Sequence, residues 1–256
     1  MRNLWTLYSK EMLEAMRSYK LIWIPVVFII LGIMQPLVTF YMADILAASS
    51  NVPAGFMDSY EMPGAAAVMA QALGQYGTIG ILILALGTMN SLAGERGSGT
   101  AELLMARPVS PVSIIVAKWA ANFTVLVIAL VLGAAGAAYY TVQLMGDLAW
   151  SAVAAASGLY ALWLLCAVSL TLLFSAWLRG PAAAAFALLL AAGMSLVHSL
   201  LPSRTNWLPA ALPGMSAGVL AEGRAASGPM ISAAVLIIIC IAGASLLIGR
   251  KKLPNG

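Results

Sequence analysis

The chain has 256 residues, 62% of them hydrophobic and only 9% charged, with a mean hydropathy of +0.96. Soluble domains carry about 25% charged residues, and disordered chains are poor in apolar residues and rich in charge, so both classes are excluded. What remains is a polytopic membrane protein. It is all-α, because its apolar runs are continuous rather than the roughly ten-residue alternating segments of a membrane barrel.

The first element covers residues 1–20. On a helical wheel Leu4, Trp5, Tyr8, Met12 and Met16 share one arc, while Lys10, Glu14 and Arg17 lie opposite. This pattern predicts an amphipathic helix in the membrane interface, with Trp5 and Tyr8 at headgroup depth. Six apolar windows long enough to cross roughly 30 Å of hydrocarbon follow, at 21–43, 73–93, 115–138, 152–178, 181–200 and 230–249. The first reads as a retained span: mixed-charge residues precede it, and it is longer than the apolar part of a cleaved leader. Gln35-Pro36 predicts a kink within it. The stretch 44–72, with Asn51-Val52-Pro53-Ala54-Gly55 and three acids, reads as an irregular loop. Gly180-Pro181 stops the fourth span and starts the fifth, proline being tolerated in a first helical turn. Between the last two windows, Pro202, Pro209, Pro213 and Pro229 surround an apolar patch from Trp207 to Leu220. That spacing suits short half-helices dipping into the outer leaflet.

Orientation follows from the basic residues. With the N-terminus inside, Arg2, Lys10, Arg17, Lys20, Arg96, Arg107, Lys118, Arg179, Arg250, Lys251 and Lys252 are cytoplasmic, and only Arg204 and Arg224 are outside. Excess lysine and arginine marks the cytoplasmic side, so both termini are expected there. The basic balance therefore reports topology and gives no support to nucleic-acid binding.

Catalytic constellations are missing from the spans. There is no HExxH, no Cys/His cluster and no paired carboxylate set, so neither a metal nor a cofactor is expected in this chain. Cys166 and Cys240 each sit in an apolar run and read as small apolar filler. A Ser–His hydrolase would need Ser98 beside His198, yet the topology places them on opposite faces of the bilayer. Gly94-x4-Gly99 has the spacing of a phosphate-binding loop, but Thr100 stands where that loop needs lysine. Ion-coupled carriers place ionisable residues at mid-membrane, and these spans are almost free of them. Gly74, Gly77 and Gly80, and separately Gly133 and Gly136, allow close helix approach.

One inner segment, 94–114, reads either as a plain polar connector or as a mechanical contact. A glycine turn leads to Thr100, an N-cap for a short helix over 101–106. Arg107-Pro108 ends that helix, and Ser110-Pro111 starts the third span. A short cytoplasmic helix between stiff punctuations can be pushed by a partner and pass the movement to the adjoining spans.

Glu95-Arg96, Gly99-Thr100, Glu102-Leu103-Leu104, Arg107-Pro108-Val109-Ser110 and Lys118 resemble the signature of ABC-2 type transporter permeases. The resemblance implies a small six-span permease in the bacterial plasma membrane, working with a separate ATP-binding subunit that binds ATP and Mg as a dimer. It also implies a second permease subunit, identical or related, meeting this one across the first, second and fifth spans with a pathway between them. On that reading Glu95, Arg96, Gly99, Thr100, Glu102, Leu103, Leu104, Met105, Arg107 and Pro108 form the ATPase-coupling surface. Glu102 and Arg107 make its polar contacts, Leu103, Leu104 and Met105 its anchors, and Glu95 and Arg96 instead pair with each other's neighbours at the membrane edge and hold the loop. The implied activity is export of an amphipathic compound such as a peptide, lipid or drug. The alternative is a non-transporting sensor or anchor that recruits a regulatory protein through its inner face.

Overall fold

Backbone groups surrounded by lipid must close their hydrogen bonds within the chain, and in the computed structural model every element of the described residues is helical. The structure describes residues 2–47, 62–97, 110–223 and 226–250. The N-terminal helix α1 (Arg2–Arg17) leads into α2 (Lys20–Phe40), and a short α3 (Met42–Ala47) follows. The next helix, α4, spans Ala65–Gly97. It is succeeded by α5 (Pro111–Met145), α6 (Trp150–Ser175) and α7 (Gly180–Leu200). After the short α8 (Pro202–Thr205) and a 3-10 turn (Pro209–Ala211) come α9 (Leu212–Glu222) and α10 (Ser227–Arg250). Six of these, α2, α4, α5, α6, α7 and α10, are long and apolar enough to cross a membrane.

Local sequence explains where the helices begin and bend. Ser110 caps α5, its hydroxyl accepting from the Ser113 N–H at 3.2 Å, with Pro111 in the first turn. The 35 residues of α5 correspond to about 52 Å, well beyond the roughly 30 Å hydrocarbon core, so the helix projects past the membrane. Between α1 and α2 the chain turns at Tyr19, whose φ of 57° is left-handed, a conformation costing a non-glycine residue about 1–2 kcal/mol. Ser18 closes the last turn of α1 by donating to Glu14 O at 2.7 Å.

Pro25 and Pro36 both lie within α2, which runs to Phe40 and stops at Tyr41. One expectation is corrected: the stretch 44–72 is less irregular than its prolines and glycines suggest. Residues 42–47 and 65–72 are helical, the second stretch opening on Ala65-Ala66-Ala67, where alanine has the best helix propensity.

The interior is built from small side chains. Ala129, Ala134, Ala137, Ala138, Ala156, Ala167 and Ala187 are buried, which lets backbones approach and maximises dispersion contact where no hydrophobic drive exists between helices. The tightest junction joins α2, α4 and α5. Phe28 and Tyr76 stack with centroids 4.7 Å apart, and the Tyr76 hydroxyl donates to Phe28 O at 3.0 Å. Gly133 makes room for both: a Cβ there would lie 2.5 Å from Tyr76 Oη and 2.8 Å from Phe28 O. At the opposite end from α1, α9 packs on α4 and α6, with Leu212 and Ser216 buried and Ser216 donating to Ala156 O at 2.9 Å.

Candidate functional site at the roots of segment 98–109

A lysine in the early turns of an apolar helix needs carboxylates, because an unpaired buried ammonium is costly. Lys118, 1% exposed, has two. Its Nζ lies 2.9 and 3.0 Å from the two carboxylate oxygens of Glu11 on α1, and 2.8 Å from Glu95 Oε1 at the end of α4. Lys10 reaches the same Glu95 oxygen at 2.6 Å and Glu11 at 3.0 Å. The carboxylates of Glu11, Glu14 and Glu95 gather within 4.8 Å of one another, held by the two ammonium groups. Burial pulls Lys10 toward its neutral form, but the Glu95 hydrogen bond and the Glu11 charge outweigh it, so its pKa stands above the ordinary lysine value.

Around this cluster the bonding continues. Asn122 donates to Lys118 O at 2.8 Å and accepts from the Thr88 hydroxyl at 3.2 Å. A cavity of about 30 Å³ lined by Glu11, Lys20, Thr88, Ser91 and Asn122 lies beneath α1, room for one or two waters. Tyr8 and Thr124 share a 3.0 Å hydrogen bond that fixes α1 along α5.

One residue beyond Glu95, Arg96 turns to a different helix. Its guanidinium donates to Ala176 O and Trp177 O at 3.0 Å each, and to Leu178 O. These carbonyls follow the end of α6, where the helix leaves acceptors unpaired. The neighbouring Ser175 hydroxyl serves a break in α4 at Met89. It accepts from the N–H groups of Leu92 and Ala93 at 3.1 Å and donates to Met89 O at 2.8 Å. Gly180, the first residue of α7, packs where a Cβ would collide with Asn90 Oδ1.

Of the residues expected from the sequence, Glu95 and Arg96 stand in the described structure, Glu95 bonded to Lys10 and Lys118 and Arg96 to the turn after α6. Gly99, Thr100, Glu102, Leu103, Leu104, Met105, Arg107, Pro108 and the helix expected over 101–106 lie outside the described residues. Lys10, Glu11 and Lys118 were missed as a site. The available signal was Lys118 itself, a cation inside an apolar run that required an acid from elsewhere. Tyr8, Glu11 and Ala15 face the bundle, whereas Trp5, Leu13 and Met16 point outward, 69%, 48% and 60% exposed.

At the other end of the bundle a cleft of about 670 Å³ opens between α4 and α7, lined by Gly74, Gly77, Thr78, Trp163, Ser195 and Ser199. Its α4 wall contains a π-helical turn, Tyr76–Gly80, in which Gly77 lies so close to Tyr160 that a Cβ would collide with the hydroxyl. Such turns are frequent at functional sites. Beside it runs a carboxamide ladder in which Gln75 donates to Gln35 at 3.0 Å and Gln35 donates to Gln71 at 2.8 Å.

The comparisons with known proteins agree with this layout. An uncharacterized transmembrane protein of Bacillus subtilis (strain 168), YxlG, is 36% identical over 245 residues, covering 94% of this chain and 95% of its own length. The family model described as ABC-2 family transporter protein matches residues 5–211, which take in α1, the ion cluster and the first five membrane-crossing helices. This chain is a multi-pass membrane protein that belongs to the ABC-2 family of transporters, as a membrane transport component and not its ATPase.

Proposed function

We propose that the chain is the permease subunit of an ATP-driven exporter. A separate ATP-binding subunit, acting as a dimer and holding ATP and Mg, docks on the cytoplasmic segment 94–114. Two copies of the permease, or this chain and a related one, meet across α2, α4 and α7. The observation that carries the reading is the Glu11–Lys118–Glu95 cluster. It binds both roots of segment 98–109 to α1, so a push on that segment is delivered to α4 and α5 instead of being lost in a loose connector. Glu102 and Arg107 supply polar contacts to the ATPase in this reading, and Leu103, Leu104 and Met105 supply anchors. Cargo is amphipathic, because the α4–α7 cleft combines Trp163 with serine and threonine hydroxyls and no charged group stands among the described residues that line it. The test is co-expression with the ATP-binding subunit, followed by ATP hydrolysis in nanodiscs against candidate peptides and lipids. Charge reversal at Glu102 and Arg107 is expected to abolish both co-purification and cargo-stimulated hydrolysis; unchanged values for both would sink the assignment.

A further inference from the structure

Arg96 links two parts of the fold that the chain itself separates. It sits in the last turn of α4, next to Gly97 and the start of segment 98–109. Its side chain, however, is bound to three successive carbonyls, Ala176 to Leu178, in the turn between α6 and α7. A guanidinium presents its N–H groups in a fixed planar fork, so three bonds set the orientation of that turn as well as its position. The negative end of the α6 dipole adds to the attraction. The same turn is held at three other points. Ser175 bonds the backbone at Met89, Leu92 and Ala93, Asn90 abuts Gly180, and Leu92 and Ala176 share a buried apolar cluster.

From this arrangement we infer that Arg96 is a positioning residue that transmits movement of the end of α4 to α7 through the α6–α7 turn. The inference rests on the proposed transport function and adds a route to it. Movement reaching α4 and α5 alone would shift one wall of the α4–α7 cleft. With Arg96 locked to the turn, the start of α7 is carried along, and α7 supplies the opposite wall through Leu188, Ser195 and Ser199. Both walls then answer to one push. The Ser175 bonds reach the end of α6, whereas Arg96 bonds the turn that leads into α7.

The experiment uses the assembled complex of this chain with the ATP-binding subunit that co-purifies with it, in nanodiscs, with the buried Cys166 and Cys240 replaced by alanine. Spin labels at Tyr139 and Leu200, both exposed, report α7 against α5, and labels at Leu82 and Val131 report α4 against α5. Distances are measured by pulsed electron resonance without nucleotide and after trapping with ATP and vanadate. In the parent complex both distances shift on trapping. Compared at equal amounts of assembled complex, Arg96→Gln keeps the α4–α5 shift and loses the α7 shift and transport. Arg96→Lys, which keeps the charge without the fork, retains part of the α7 shift, and stands in if the glutamine variant does not fold. An undiminished α7 shift in Arg96→Gln overturns the inference. So does loss of both shifts together, which is the mark of a merely structural residue. A parent complex with no shift in either pair overturns the transport reading itself.

Discussion

Lys118 Nζ bonds both carboxylate oxygens of Glu11, at 2.9 and 3.0 Å, across the gap between the N-terminal helix and the third membrane-crossing helix. The lysine is 1% exposed and the glutamate side chain 11%, so neither charge can fall back on bulk water. Pairing of this kind makes the position of α1 specific, because α1 cannot slide or rotate without stranding a buried ammonium.

Glu11→Gln therefore destabilises the protein by about 3 kcal/mol, the lower end of what removing one partner of a buried pair costs, because Glu95 still faces Lys118. Replacing the pair by apolar residues, Glu11→Leu with Lys118→Met, removes the stranded charge and restores stability close to the parent. Thermal unfolding in detergent distinguishes the two: a double variant as unstable as Glu11→Gln would show that the cluster is not held by its charge balance.

The link between α1 and Glu95 is insensitive to pH across the neutral range. The pKa of Lys10 is raised in the fold, so its stabilising contribution is complete below the unfolded lysine value of about 10.4 and is lost only as pH rises through the higher folded value. Hydrogen exchange of residues 4–16 is expected to be flat between about pH 6 and 9 after correction for intrinsic rates, with protection falling above the ordinary lysine range. Lys10→Met removes that alkaline fall. Its 43% exposure keeps the effect on global stability small.

Ser175→Ala leaves the Leu92 and Ala93 N–H groups and Met89 O without their partner. The expected loss is about 1–3 kcal/mol, the penalty of unsatisfied buried groups. Thr171 is the matched control: it is equally buried, but its hydroxyl only donates back to Ala167 O of its own helix. Thr171→Val is expected to stay within about 1 kcal/mol of the parent in the same unfolding assay, and equal losses at the two sites would show that Ser175 is not the bridge.

At the α2–α4–α5 junction, Gly133→Ala forces a Cβ against Tyr76 Oη and Phe28 O and costs roughly 1–3 kcal/mol by overpacking. Adding Tyr76→Phe relieves the first collision and leaves the second, so it recovers only part of the loss. Full recovery in the melting temperature would mean that the backbones are not in contact there.

The sequence disclosed the architecture more readily than the site, for physical reasons. A membrane-crossing helix needs a continuous apolar run, and Ser110-Pro111 and Gly180-Pro181 are local start signals, so these features can be read residue by residue. The beginning of α4 was hidden because Gln71 and Gln75 interrupt its hydropathy, although the helix starts at Ala65. The π-helical turn at Tyr76–Gly80 packs its Gly77 against Tyr160 of another helix, and Glu11 meets Lys118 across 107 positions of sequence. Such pairings are set by helix packing, which leaves no periodic trace. Arg96 was found as a charged residue beside a loop, but its carbonyl partners carry no side-chain signature at all.

The glutamine ladder separates stability from transport. Gln35 is its centre, donating to Gln71 and accepting from Gln75, whereas Gln71 is its exposed end. Hydrogen bonds between membrane helices average about 0.6 kcal/mol and reach about 1.7. Gln71→Leu breaks one bond and is expected to lower stability by about 0.6 kcal/mol. Gln35→Leu breaks two and strands both neighbours, with an expected loss of about 1–2 kcal/mol. If the ladder borders the path of cargo, transport falls in Gln71→Leu by more than this small stability loss explains. Transport that tracks the melting temperature in both variants would make the ladder a packing element only.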